Sequence, residues 1–256
     1  MTEHTDGSRA TTSDVLLRAM DVALAAIGLV VLAPVILAAM VAVWWQDGHS
    51  PLYIAKRAGL GGRLFDMVKL RSMVKGADRT GVSSTSSGDK RITAIGRAIR
   101  RYKLDEITQL WNVLRGDMSL VGPRPNVPQA VALYTDAEKR LLTVKPGITD
   151  LASIVFSDEG EILKGAENAD LLYEQIIRPW KSRLGLFYVD NATIGMNIRL
   201  VALTAVAIVN KPAALRGVSR ILVAGGADPE LIRVAERRTA LYAYPPPGAS
   251  EIVQQI

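Results

Sequence analysis

Apolar and polar residues are spread unevenly along this 256-residue chain. From Val22 to Trp45, VALAAIGLVVLAPVILAAMVAVWW, 24 consecutive residues carry no charge. As a helix rising ~1.5 Å per residue this run covers roughly 36 Å, enough for a hydrocarbon core of about 30 Å, so it predicts a membrane segment. Asp14, Arg18 and Asp21 before it and the Trp44–Trp45 pair that closes it do not fit a cleaved signal peptide. Pro34 removes an intrahelical hydrogen bond in mid-run and clashes with the carbonyl of Val30, which predicts a kink. The residues alone leave two topologies open. A spanning helix puts the N-terminal tail opposite the body of the protein, and a re-entrant hairpin bent at Pro34 keeps both ends on one face. Arg18 on one side and Lys56 and Arg57 on the other are all positive-inside signals and favour the hairpin, although proline is common in spanning helices too.

Beyond a polar break at Gln46–Ser50 the period changes. Leu52–Ile54 and Leu64–Val68 are short strand-like runs separated by Gly59, Gly61 and Gly62, which predicts a β-hairpin. Gly76–Lys90 reads as a mobile Gly/Ser-rich loop. Ile92, Ile95 and Ile99, then Leu104, Ile107, Trp111 and Leu114, recur at helical spacing and predict two helices that break near Tyr102–Leu104, the second ended by Gly116. Arg91, Arg97, Arg100 and Arg101 give the first of these a basic stripe, suited to a membrane interface or simply to solvent. Gln129–Val144 predicts a helix, Tyr173–Tyr188 a helix bent near Pro179, and Ile194–Val209 an apolar helix too short to span and therefore interfacial. Asp228-Pro229 predicts a capped helix running to about Tyr242, and PPPGAS a disordered end.

Composition narrows the chemistry. The formal charge is +6, which suits an anionic surface or substrate. With no cysteine, thiol nucleophiles, zinc fingers and iron–sulfur clusters are excluded. The only histidines are His4, in the polar tail, and His49, beside a glycine. Catalysis must therefore use carboxylates, hydroxyls, lysines or an oxygen-bound metal. No Walker or dinucleotide loop is present, since GLGG at Gly59–Gly62 lacks either spacing.

The densest polar cluster is RRYKLDEITQLWNVLRGDMSLVGPRP. Asp105 and Glu106 stand at an apparent helix start, which the helix dipole favours and which an ordinary acidic first turn would also produce. Arg100, Arg101 and Lys103 precede them, and Arg124 follows between two prolines, so several cations can converge on a polyphosphate. A carboxylate among cations stays ionised, as a nucleophile or Mg²⁺ ligand must.

These residues carry a resemblance. KRAGLGGRLFDMVKLRSM, ITAIGRAIRRYKLDEITQLWNVLRGDMSLVGPRP and VKPGIT, within Lys56–Thr149, resemble the bacterial sugar transferases, the monotopic phosphoglycosyl transferases. The likeness extends more weakly back to Arg18 and forward to about Val209. It implies transfer of a sugar-1-phosphate from a UDP-sugar to undecaprenyl phosphate or another polyprenyl phosphate, with release of UMP and a requirement for Mg²⁺. It also implies Asp105 as nucleophile of a covalent phosphosugar-aspartyl intermediate, Glu106 as its partner, both as metal ligands, and Lys69, Arg100 and Arg124 near the substrate phosphates. Each cation has a plainer role open to it: Lys69 as a strand-end charge, Arg100 as a headgroup anchor, Arg124 as a tie for its own loop.

The implied fold class is an α-dominated (α+β) monotopic membrane protein with a re-entrant N-terminal helix broken at Pro34, a small β-hairpin and amphipathic interfacial helices. Its expected divisions are a polar tail (1–13), a re-entrant helix (14–46), a cytoplasmic catalytic domain (47–210) and a partly disordered C-terminal extension (211–256). The bacterial inner membrane, its lipids and a second copy in a homodimer are the implied surroundings. The chain departs from the family pattern in three places. Ala33 replaces the serine before Pro34, Thr108 replaces a frequent proline, and DLASIVFSDEGEIL follows KPGIT, which points to a subgroup with its own sugar preference. Two rivals remain: a non-catalytic membrane scaffold, and a nucleic-acid binder, for which 5% aromatics leaves little stacking surface.

Overall fold

The computed structural model describes residues 12–80 and 84–255. Most of the expected tail, His4 and the Gly81–Ser83 part of the Gly/Ser loop lie outside the described residues. The apolar run forms α1 (Thr12–Asp47), a single helix that continues through Pro34. The expected break at Pro34 does not occur, because the roughly 3 kcal/mol lost at one proline is outweighed by the many intact turns on either side.

The next elements are the hairpin β1 (Leu52–Ala58) and β2 (Leu64–Leu70), antiparallel with Tyr53 opposite Lys69 and Arg57 opposite Phe65. Then come α2 (Ala94–Arg101), α3 (Leu104–Ile107) and α4 (Leu110–Arg115). The break at Tyr102–Lys103 lies where the sequence predicts it, and Gly116, at φ 89°, ends α4. The predicted second helix is divided into α3 and α4. The basic stripe on α2 is only half a stripe. Arg97 and Arg101 are exposed, whereas Arg91 pairs with Asp89 at 2.7 Å and Arg100 turns inward.

β3 (Ser119–Val121) pairs in parallel with β4 (Gly147–Thr149). Between them the expected 129–144 helix is divided into α5 (Pro128–Ala132), α6 (Asp136–Lys139) and a 3₁₀ turn at Arg140–Thr143. Thr135 and Glu138 form a capping box that starts a new helix where continuation was expected. The remainder is helical: α7 (Leu151–Val155), α8 (Glu159–Ile162), α9 (Ala169–Ile176), α10 (Arg178–Asn191), α11 (Ile194–Val209), α12 (Lys211–Ala224) and α13 (Pro229–Glu236).

Trp180 and Leu184 of α10, Leu151 and Ile154 of α7, Leu200 of α11 and Val218 and Leu222 of α12 are fully buried in one core. Asn112 fastens the hairpin to α4, accepting from Val68 N at 2.9 Å and donating to Asp66 O at 2.7 Å. α13 stops at Glu236 instead of Tyr242, because Arg237 turns left-handed at φ 53°. The PPPGAS end, expected to be disordered, is pinned to the body. Tyr244 N donates to Gln175 O, Arg183 donates to Pro245 O, and Trp180 packs against Tyr242 and Tyr244 at 5.3 and 4.5 Å.

Both ends of α1 are fixed to this same body. Near its start, Arg18 donates to the carbonyls of Val113 and Leu114 at 2.6 and 3.0 Å, a cation capping the end of α4. Asp21 accepts from Ser119 Oγ and Leu120 N. Near its end, Val43 packs with Leu70 and Ile99, and Asp47 takes two 2.6 Å bonds from Arg71. Between these anchors Val30 and Val31 are 75% and 67% exposed, so mid-helix presents bare apolar surface.

Candidate active site

The acidic pair follows a strained turn. Tyr102 closes α2, and Lys103 adopts a left-handed φ of 56°, a conformation costing a non-glycine residue about 1–2 kcal/mol. That turn leads into α3, which packs on β2, and Thr108 just after it donates to Val68 O at 3.1 Å. α3 is one turn long, so the dipole invoked for a helix start is small here, and side-chain neighbours set the electrostatics.

Glu106 is held by Arg124, whose Nη2 lies 2.5 Å from Oε1. Burial pushes the Glu106 carboxyl up, but Arg124, Lys69 and Lys103 more than reverse this and hold it at about 2. Asp105 is the opposite case. Its Oδ1 is shielded from solvent and has no hydrogen-bond partner. Burial and then the charge of Glu106 drive its pKa up, against the pull of Lys69, Arg100 and Arg124. Two adjacent carboxylates therefore differ: one is locked into an ion pair, and the other carries an oxygen that nothing satisfies.

The cations come from a strand, a helix and a loop. Lys69 lies near the end of β2, where burial and then the charge of Arg124 lower it to about 8. Arg100 donates from Nε to Ser72 Oγ at 2.9 Å. Glycine makes that possible, since a Cβ on Gly96 would stand 1.8 Å from the Ser72 carbonyl oxygen, so α2 and the strand exit touch backbone to backbone. Arg124 is set by the same device. A Cβ on Gly147 would fall 2.1 Å from Gly122 N, so the GPRP and KPGIT loops lie in direct contact.

Asp105, Glu106, Lys69, Arg100 and Arg124 are thus brought together, and Pro34 lies apart in α1. Sequence reasoning missed Arg57, whose charge bears on Lys69, the Ser72 partner of Arg100, and Glu159, whose charge bears on Arg124. Arg57 stands within the quoted KRAGLGG motif, so its signal was present. No cluster of three or more metal-ligating side chains occurs among the described residues. One or two carboxylates completed by substrate phosphate and water are what Mg²⁺ ordinarily uses, and the unpartnered Oδ1 of Asp105 beside Glu106 fits that demand.

Over residues 12–211 the chain matches the family described as bacterial sugar transferase. It is 35% identical over 183 residues to the UDP-glucose:undecaprenyl-phosphate glucose-1-phosphate transferase of Caulobacter vibrioides, covering 66% of each chain. It is 36% identical over 194 residues to the undecaprenyl-phosphate glucose phosphotransferase of Komagataeibacter xylinus, covering 73% of this chain and 34% of that one. With the UDP-N-acetylgalactosamine-undecaprenyl-phosphate N-acetylgalactosaminephosphotransferase of Aeromonas hydrophila it shares 35% identity over 142 residues, 54% of this chain and 33% of that one. The chain therefore spans from about a third to about two thirds of the length of these curated relatives. Since α1, the acidic pair and all three cations fall inside the matched residues, the chain belongs to the bacterial sugar transferase family.

Proposed function

We propose that this protein transfers a sugar-1-phosphate from a UDP-sugar to undecaprenyl phosphate or a similar polyprenyl phosphate, releasing UMP, through a covalent intermediate on Asp105. The observation that carries this reading is the unpartnered Oδ1 of Asp105 beside an arginine-locked Glu106. The Asp105 carboxylate attacks the phosphorus that bears the sugar, the bond to the UMP oxygen breaks, and the electron pair leaves on UMP. A polyprenyl phosphate oxygen then attacks the same phosphorus and returns Asp105 as a free carboxylate. Neither step needs a histidine, because no proton must be removed from an ionised carboxylate or a phosphate dianion. Lys69, Arg100 and Arg124 hold the phosphate oxygens, and Glu106 orients Arg124. Mg²⁺, with Asp105 and Glu106 as its protein ligands, would offset the repulsion between the attacking carboxylate and the diphosphate.

The reading includes a monotopic arrangement at the inner membrane, with the site on the cytoplasmic face. Support comes from α1: Arg18 and Asp21 at one end and Asp47 at the other bind the same body. A helix crossing about 30 Å of hydrocarbon cannot leave both ends bound to a domain on one side. Exposed Ile198, Ile208 and Val209 on α11 suit a helix lying at the same surface.

The test is UMP release from a panel of UDP-sugars with undecaprenyl phosphate and Mg²⁺. Turnover by the wild type and none by Asp105→Asn is expected. No turnover with any donor would favour the scaffold reading.

A further inference from the structure

The segment after KPGIT, where the sequence leaves its family's pattern, forms one wall beside the cations. Glu159, at the start of α8, is ion-paired with Lys181 of α10. Lys181 Nζ also lies 5.3 Å from the centre of the Tyr173 ring, a cation–π contact that fixes the ammonium from a second side. Glu159 and Lys181 are both only half-buried, so the pair faces accessible space. α10 carries the pair to the phosphate-holding groups, since a Cβ on Gly185, one turn beyond Lys181, would stand 3.8 Å from the Pro123 ring, which immediately precedes Arg124. Burial raises the Glu159 carboxyl, but Lys181, then Arg124 and Lys103, pull it below its ordinary value, and Glu159 in turn helps keep Arg124 charged.

The wall is built from several parts of the chain. The serine-rich loop rests on it: Ser87 N donates to Gly160 O at 2.9 Å, and Ser84 N donates to Asp170 at 2.6 Å. A Cβ on Gly160 would stand 3.1 Å from Ser87 N, and Ser87 Oγ is shielded and unpartnered. Asp158, next to Glu159, is bound by Lys211 at 2.7 Å and by Arg237 at 3.3 Å. The C-terminal helices thereby brace this wall.

A phosphate is a poor occupant, because the carboxylate would repel it. A nucleophilic role is also unsuitable, because Lys181 already neutralises Glu159. A carboxylate with lone pairs to spare, an ammonium with donors to spare and a nearby unpaired hydroxyl suit a ring of vicinal hydroxyls. We propose that Glu159, held by Lys181 and flanked by the Ser84–Ser87 loop, reads hydroxyl groups of the transferred sugar and sets which sugar is accepted. This rests on the proposed reaction for the identity of the ligand.

The experiment measures kcat/KM for full-length wild type and Glu159→Gln with UDP-glucose and with UDP-galactose and UDP-N-acetylglucosamine, each of which differs from UDP-glucose at one ring position. The same donors and UDP are also measured by equilibrium binding. Loss of one charge-assisted bond to a hydroxyl should lower kcat/KM for the preferred donor by roughly 10- to 150-fold. The other donors should stay within about threefold, so that the preference collapses, and Lys181→Met should reproduce the collapse. An equal loss for every donor, or an unchanged preference, would overturn the proposal. If the wild type releases no UMP, the reaction itself is wrong. The binding data then decide separately: a sugar preference abolished by Glu159→Gln upholds the role of Glu159, and binding no tighter than UDP removes it.

Discussion

Lys69 gives the sharpest electrostatic prediction. Burial and the charge of Arg124 lower its pKa from the ordinary 10.5 to about 8, a bias toward the neutral form of about 3 kcal/mol. In the free protein the ammonium is therefore present below pH 8 and lost above it. If it holds the diphosphate, kcat/KM, which reports the free enzyme, should be level from pH 6.5 to 7.5 and fall about tenfold per pH unit beyond 8. Lys69→Arg keeps its charge throughout, so its alkaline limb should vanish even if its plateau is lower. Stability carries the same information with a defined sign. The folded value lies below the unfolded one, so the penalty of the buried charge is complete below pH 8 and fades between 8 and 10.5. Lys69→Met should thus unfold later than wild type at pH 7, by up to about 3 kcal/mol, and show no such gain near pH 10.5. The assays are initial rates of UMP release at sub-saturating donor and denaturant melts at the two pH values. A wild-type profile flat to pH 10, or an identical limb in Lys69→Arg, would refute the assignment.

Other outcomes follow from the same geometry. The raised pKa of Asp105 means that its ionised form is destabilising at neutral pH, so Asp105→Asn should abolish turnover while raising the melting temperature at pH 7. That gain should shrink as the pH falls toward the unfolded carboxylate range, where the wild-type group is also neutral. Arg124→Lys should impair turnover by more than tenfold and leave the fold intact, because a point charge cannot hold Glu106 and a phosphate with one planar fork. Ser13→Cys and Lys90→Cys, both at exposed positions, should be labelled from the same face of sealed vesicles. Labelling from opposite faces would establish a spanning α1.

What the sequence disclosed and what it withheld divide along a physical line. The hairpin, the break before Leu104 and the stop at Gly116 were legible because turn residues act locally, within three or four positions. The division of 129–144 was legible as well, in the Thr135–Glu138 capping box, but apolar periodicity across it masked the signal. The parallel β3–β4 pairing was not legible, since it depends on Gly122 and Gly147 admitting two loop backbones that are separated in sequence. The order of the C-terminal tail likewise comes from Trp180 and Arg183, more than 50 residues upstream. At the site, Asp105, Glu106 and the three cations could be named from motifs, whereas the unequal state of the two carboxylates could not. That inequality arises from Arg124 reaching Glu106 and from the shielding of Asp105 Oδ1, both tertiary effects. The Glu159–Lys181 pair escaped for the same reason.

The covalent role of Asp105 is the central claim, and one measurement addresses it directly. Wild-type protein is incubated with labelled UDP-sugar and Mg²⁺ in the absence of a lipid acceptor, and both UMP and protein mass are followed. The account predicts a single burst of about one equivalent of UMP, a mass increase of one sugar phosphate that maps to Asp105, and its discharge when undecaprenyl phosphate is added. An adduct at another residue, or turnover with acceptor present and no adduct or burst without it, would contradict the account and point to direct displacement between the two substrates.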